Sequence, residues 1–209
     1  IHKDLMASFC KGIDLPDPFH LEVPCKNPKT LKKDSEVAAI YLPHLMFAKL
    51  ATYSKFETIF PLELLEQFWD QAEKTGDDRL QGHPMKVKGW KKKTIPLFLH
   101  GDGVEYESRD SLMVWSFGGF LSQEKSLDSH LLLAAHPKTC TTKETWPQIW
   151  KVLAWSFKAL AKGQHPNVDP WGKALKKASP FYHLAGQSCG PYKATLWLIQ
   201  GDHEFYSNS

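Results

Sequence analysis

A chain of 209 residues, 42% hydrophobic and 23% charged, can bury a sizeable core and has the composition of a globular protein, not a disordered or fibrous one. No apolar run approaches the ~18 residues of a membrane-crossing helix, so no membrane partner is expected. A net charge of +3 is too small to name a partner by itself, and eight tryptophans fill cores as readily as they bind ligands.

The cysteines Cys10, Cys25, Cys140 and Cys189 include no C-x₂-C pair, which leaves out a zinc site of the usual spacing. Scattered single cysteines suit a reducing compartment, so an intracellular location, nuclear or cytoplasmic, is expected. No signal-peptide pattern opens the chain at Ile1, and the sequence reads as a piece of a longer protein.

Residues 1–34 carry Pro16, Pro18, Pro24 and Pro28 without a sustained period and read as a loop-like lead-in. A first periodic segment begins at Ser35 and breaks at Pro43. Beyond it Leu45, Met46, Leu50 and Tyr53 recur at helical spacing. Pro61–Lys74 reads as a helix: Pro61 suits the first turn, Leu64, Leu65, Phe68 and Trp69 make one apolar face, and Gly76 lies just past the end. Residues 1–94 are therefore expected to be a lead-in and a small helical region ending in a lysine-rich linker. In that linker Lys86, Lys88, Lys91, Lys92 and Lys93 surround Gly89 and Trp90. Such a cluster can hold a phosphate backbone while Trp90 stacks on a base, although charge runs are more often solvated surface.

Strands follow. The β-forming run Ile95–Leu99 leads into His100-Gly-Asp102-Gly103 and reads as a buried strand that ends by presenting Asp102. Glu105–Asp110 reads as a turn, Ser111–Phe117 as a second strand closed by Gly118-Gly119, and Leu131–Ala135 as a third. Their short connections make an antiparallel meander. Thr145-Trp-Pro-Gln148 has the form of a capping box. It opens a helix in which Trp146, Ile149, Trp150, Leu153, Phe157 and Leu160 repeat at three and four before Gly163. Lys173–Ala178 reads as one more helical turn, and Tyr192–Gln200 as a fourth strand leading to Gly201-Asp202.

A helix between two strands of one sheet favours a right-handed crossover to a parallel position. If the fourth strand lies parallel to the first and beside it, Asp102 and Asp202 share one edge. The expected class is α/β, with residues 95–209 an incomplete RNase H-like core. Two carboxylates at ~4 Å repel by roughly 4 kcal/mol at an effective dielectric near 20, and a divalent cation turns that cost into a binding site. Glu105 and Glu107 are candidate auxiliary ligands. His100 and His203, each beside an acid, are candidate supporting partners.

Asp102-Gly103, Met113-Val-Trp115, Leu196-Trp-Leu-Ile-Gln-Gly-Asp202 and Phe205-Tyr206 stand in the order of the motifs in the catalytic core of CACTA-superfamily (En/Spm-like) DDE transposases. The chain resembles that family from Leu97 onward. The resemblance implies metal-dependent DNA strand cleavage and transfer, with Asp102 and Asp202 as the first and second catalytic, metal-binding acids. It implies Mg²⁺ (or Mn²⁺) as cofactor, DNA as partner and a homo-oligomer in the full-length protein. It also implies a third acid on a later helix, so that this stretch alone is inactive. Two other readings stay open. A domesticated nucleic-acid-binding module would use the lysine stretch and Trp90 without catalysis. A metallophosphoesterase-like hydrolase would use His100-Gly-Asp102 and Gly201-Asp202-His203-Glu204, with further metal-binding histidines and asparagines at strand ends.

Overall fold

A computed structural model of the chain describes residues 15–83, 85–107, 110–124 and 129–201, the side chains at 106, 107 and 110 excepted. Its elements are β1 (Phe19–Lys26), β2 (Lys33–Ile40), α1 (Pro43–Leu50), α2 (Phe56–Ile59), α3 (Leu65–Lys74), β3 (Thr94–Glu107), β4 (Asp110–Gly119), β5 (Leu131–Pro137), α4 (Thr145–Lys162) and β6 (Lys193–Gly201).

Four strands form a mixed sheet in the order β5-β4-β3-β6. The pairs β3–β4 and β4–β5 are antiparallel and β3–β6 is parallel. The protein is thus α/β, with a meander, a crossover helix and a parallel fourth strand, as the order of elements predicts. β3 is central: Leu97 pairs with Gly119 on one side and Leu196 on the other, and Ile95, Leu97 and Leu99 are buried. α4 covers one face with Ile149, Val152, Leu153, Phe157 and Leu160, and Trp150 meets Trp115 of β4 edge-on at 4.4 Å between ring centroids. Gly163 ends this helix at φ 72° and bonds back to the Ala159 carbonyl, the expected left-handed stop. Its start differs from the expected capping box. Thr145 is the first helical residue, no side chain caps it, and its hydroxyl donates to the Pro24 carbonyl at 2.5 Å.

The largest departure from the sequence expectation lies in residues 15–42. The proline-bearing lead-in holds β1 and the segment after it holds β2, paired antiparallel from Phe19↔Ile40 to Lys26↔Lys33. Alternation is the cause: Leu21, Val23 and Cys25 turn inward while His20 and Glu22 face out. A two-stranded ribbon also tolerates Pro24, since each strand has a free edge. Asn27 builds the turn by accepting the backbone N–H groups of Lys29 and Thr30, at 3.0 and 3.1 Å. Past the ribbon, the Tyr41 N–H donates to the Leu133 carbonyl at 2.7 Å, which occupies part of the outer edge of β5.

Helices α1–α3 share the core of the sheet. Phe47, Phe56 and Phe60 form a ring cluster, and the indole N–H of buried Trp69 donates to the Thr94 carbonyl at 2.8 Å. One apolar cluster runs from Leu21 to Trp197, so residues on both sides of position 94 fold around a common core. The helical turn expected at Lys173–Ala178 is absent. The Asp169 carboxylate accepts the N–H groups of Trp171 and Lys173, both at 2.9 Å, and commits that backbone to turns.

α1 is tied to α4 through His44, whose Nδ1 lies 2.7 Å from the Ser156 hydroxyl. Burial, and then the neighbouring His165, hold the His44 pKa down to about 3. The unfolded chain therefore binds a proton below pH ~6.5 that the folded chain refuses until about pH 3. Stability present at neutral pH is lost as pH falls through that window. Urea unfolding between pH 7.5 and 5 should show this loss, at up to ~1.4 kcal/mol per pH unit from this one group. His44→Gln should flatten the slope; an unchanged slope would mean that His44 protonates freely in the fold.

Candidate functional site

β3 continues past Asp102 to Glu107, so the acid sits within a long strand and not at its end. The hairpin with β4 sustains it, since Asp102↔Val114, Gly103↔Met113, Val104↔Leu112 and Glu105↔Ser111 remain paired. The stretch from Glu105 expected as a turn belongs to this arm. The parallel register of β6 runs through His100↔Gln200 to Gly101↔Gly201, the last described residue. Asp202 and His203 lie outside the described residues.

Asp102 is exposed. Strand alternation places its side chain on the same face as Phe98 and His100, opposite the face on which Gly101 meets Trp115. A Cβ on Gly101 would stand 2.8 Å from the Trp115 ring, and one on Gly103 would stand 2.6 Å from the Lys138 ammonium. Close approach to a packed ring therefore sets Gly101, whereas the neighbour of Gly103 is the far end of a flexible lysine that can step aside.

His100 is half-buried, its ring 5.3 Å from that of His130. His130 packs against Phe98 at 4.8 Å and lies 3.4 Å from the Ser116 hydroxyl. Burial, and then His100, lower the His130 pKa. Sequence spacing did not single out His130. Its one signal is its place immediately before β5, two strands from His100.

Among the described residues no three His, Cys, Asp or Glu side chains come together to hold a metal ion. Asp102 and exposed Glu105 are hard oxygen donors, but a lone carboxylate does not make a Mg²⁺ site. The donors present do not by themselves fit a bound cation, and the expected one depends on Asp202. Histidines that a metallophosphoesterase-like centre would need are engaged elsewhere. His44 holds Ser156, His165 stands 5.3 Å from His44, and His83 lies 3.4 Å from Thr195.

The lysine stretch is brought together, but against α3. Trp90–Lys92 forms a 3₁₀ turn in place of a linker. Lys91 bonds Asp70 and Glu73, both at 2.6 Å, Lys86 lies 3.3 Å from Glu73, and Lys92 lies 3.4 Å from Glu66. Hydrogen bonds donated to Asp70 and Glu73 raise the Lys91 pKa, and those Glu73 accepts from Lys91 and Lys86 lower its own. Trp90 is half-buried against Trp69, with centroids 5.0 Å apart, while Lys88 and Lys93 remain exposed. The signal for this pairing was in the sequence, since Glu66, Asp70 and Glu73 fall on one face of α3.

Among the described residues no helix is long and apolar enough to cross a membrane. No family model, curated protein or solved structure matches the chain.

The Gly101–Trp115 contact yields a direct test. Gly101→Ala should lower stability in urea by about 1–3 kcal/mol and alter the near-UV circular dichroism of the tryptophans, because Trp115 must move. An unchanged midpoint would mean that the indole has room to step aside.

Proposed function

We propose that this chain belongs to a metal-dependent, DNA-cleaving enzyme of the RNase H-like, DDE-transposase kind, with Asp102 and Asp202 as its first two acids. One observation carries the proposal. The parallel register pairs Gly101 with Gly201, and in the sequence each of these glycines is followed directly by an aspartate. The strand order β5-β4-β3-β6 and the crossover through α4 support it.

When bound, Mg²⁺ or Mn²⁺ would supply activation of a water or 3′-hydroxyl and stabilisation of the leaving oxygen. The chain's part is to hold Asp102 on a strand paired with β6 as far as Gly101 and with β4 through Asp102 itself, with its carboxylate open to solvent. DNA as partner, an intracellular setting and a homo-oligomer in the full-length protein go with this proposal. A module that binds nucleic acid through residues 86–93 is less favoured, because Lys86, Lys91 and Lys92 are already paired with carboxylates.

Titration with Mg²⁺ or Mn²⁺ tests the acid pair. At ten times the dissociation constant the gain is about 1.4 kcal/mol, or roughly 3–6 °C in melting temperature for a chain of this size. Asp102→Asn and Asp202→Asn should each abolish the rise. In EDTA each should leave the melting temperature unchanged or slightly higher, since one of two like charges is gone. A wild-type chain that does not respond to either cation, or an Asp102→Asn chain that responds normally, would sink the proposal.

A further inference from the structure

Among the described residues, much of the positive charge without a carboxylate partner lies away from residues 86–93. From Lys151 to Lys193 the sequence carries seven lysines and a single carboxylate, Asp169. The whole chain has a net charge of only +3, so the remainder is net negative and the basic character is concentrated in this fifth of the chain. Lys151, Lys158, Lys162, Lys173, Lys176 and Lys177 are exposed, and none is paired with a described carboxylate.

Their placement is ordered. Lys151, Trp155, Lys158 and Lys162 stand at i, i+4, i+7 and i+11 of α4, which puts them on one face along roughly 16 Å of helix. Trp155 on that stripe lines a cleft of about 320 Å³ together with Phe19, Pro170, Trp171, Pro180 and Phe181. Phe19 stacks on Phe181 at 6.1 Å, and Trp155 meets Phe181 edge-on at 6.3 Å. The Trp155 indole N–H donates to the Val168 carbonyl at 2.8 Å and fixes the loop after α4 against the helix. Trp171, 42% exposed, rises from this loop on a turn held by Asp169. Lys173, Lys176 and Lys177 follow it in the same segment.

We propose that this cleft and its lysine stripe bind single-stranded DNA. An unpaired base stacks on Trp171 and the aromatic floor, while phosphates follow Lys151, Lys158 and Lys162 and the loop lysines. Exposed rings beside unpaired cations are what a single strand needs: stacking accepts any base, and positive charge tracks the backbone. A duplex keeps its bases inside and could use only the lysines. The inference rests on the DNA-processing function proposed above and names where the strand would lie.

The test is fluorescence anisotropy of a labelled dT 15-mer in EDTA across a salt series. The proteins are the wild-type chain, Trp171→Ala, the triple variant Lys158→Gln/Lys162→Gln/Lys173→Gln and the control Lys91→Gln/Lys92→Gln. Thermal melting confirms that each is folded. Trp171→Ala should weaken binding roughly five- to a hundredfold with its salt slope kept. The triple variant should flatten the log–log salt slope by about two. The control should bind within about twofold of wild type, as expected of lysines already paired.

Wild-type affinity in both groove variants, or no binding of the 15-mer by the wild-type chain at low salt, would overturn the inference. So would binding to poly-glutamate, anionic vesicles or a blunt duplex that equals binding to dT, falls in the triple variant and ignores Trp171→Ala. Because EDTA removes the cation, the two proposals fail separately. A normal Mg²⁺ response with indifferent groove variants removes only the groove. Groove-dependent binding without a Mg²⁺ response removes only the acid pair.

Discussion

The pairing of β3 with β6 joins stretches a hundred residues apart, and much of the fold exists to make it possible. Parallel neighbours cannot be joined by a tight turn, so the chain must cross the sheet, and α4 is that crossing. To stay there it needs an apolar face the length of the sheet, which Ile149, Val152, Leu153, Phe157 and Leu160 supply. The sheet in turn needs its edges managed. On the β5 side the ribbon does part of this through Tyr41 and Leu133. On the β6 side the Arg79 guanidinium lies 3.8 Å over the Trp197 ring and donates to the Trp197 carbonyl at 2.8 Å. Residues between 15 and 80 thus supply structure at both edges of the sheet.

Charge is distributed by a similar rule. The lysines between 86 and 92 sit against a helix whose facing side is acidic, so their positive charge is largely answered within the molecule. The lysines of α4 and the loop after it meet no such face. A run of like charge in a sequence therefore says little about a partner until the surface opposite it is known. Trp90 and Trp171 make the same point for aromatic rings. Both stand near lysines in the sequence, yet one is packed on Trp69 and the other is exposed.

Long, strongly patterned elements were legible in the sequence: α4 and its glycine stop, the three meander strands, and the parallel return of β6. What failed was decided by contacts distant in sequence. Prolines 16 to 28 suggested a loop, but the ribbon forms because alternate side chains of β1 find the core. The Gly-Asp-Gly of β3 suggested a strand end, but β4 supplies a partner for every residue from Asp102 to Glu105. Thr145 carries the right chemistry for a cap and spends it on the Pro24 carbonyl, which no local pattern reveals. For the candidate site, the sequence marked Asp102 and His100. The neighbour His130 is recognisable only once β4 has placed β5 beside them.

Asp102 stands apart from the residues around it. Gly101 is explained by Trp115, and His100 by its contact with His130. Aspartate is disfavoured inside strands, and this one is exposed on β3 just past its last described pair with β6, where β4 still pairs with it. Packing gives no reason for a carboxylate there, whereas Val or Thr would satisfy the ladder better. A residue that strand propensity disfavours, fixed in register by its pairing with β4, is where chemistry is most reasonably sought. Its value to the protein then depends on a second oxygen donor arriving at the same level of the sheet. Gly201, the last described residue of β6, lies opposite Gly101, and Asp202 follows it in the sequence.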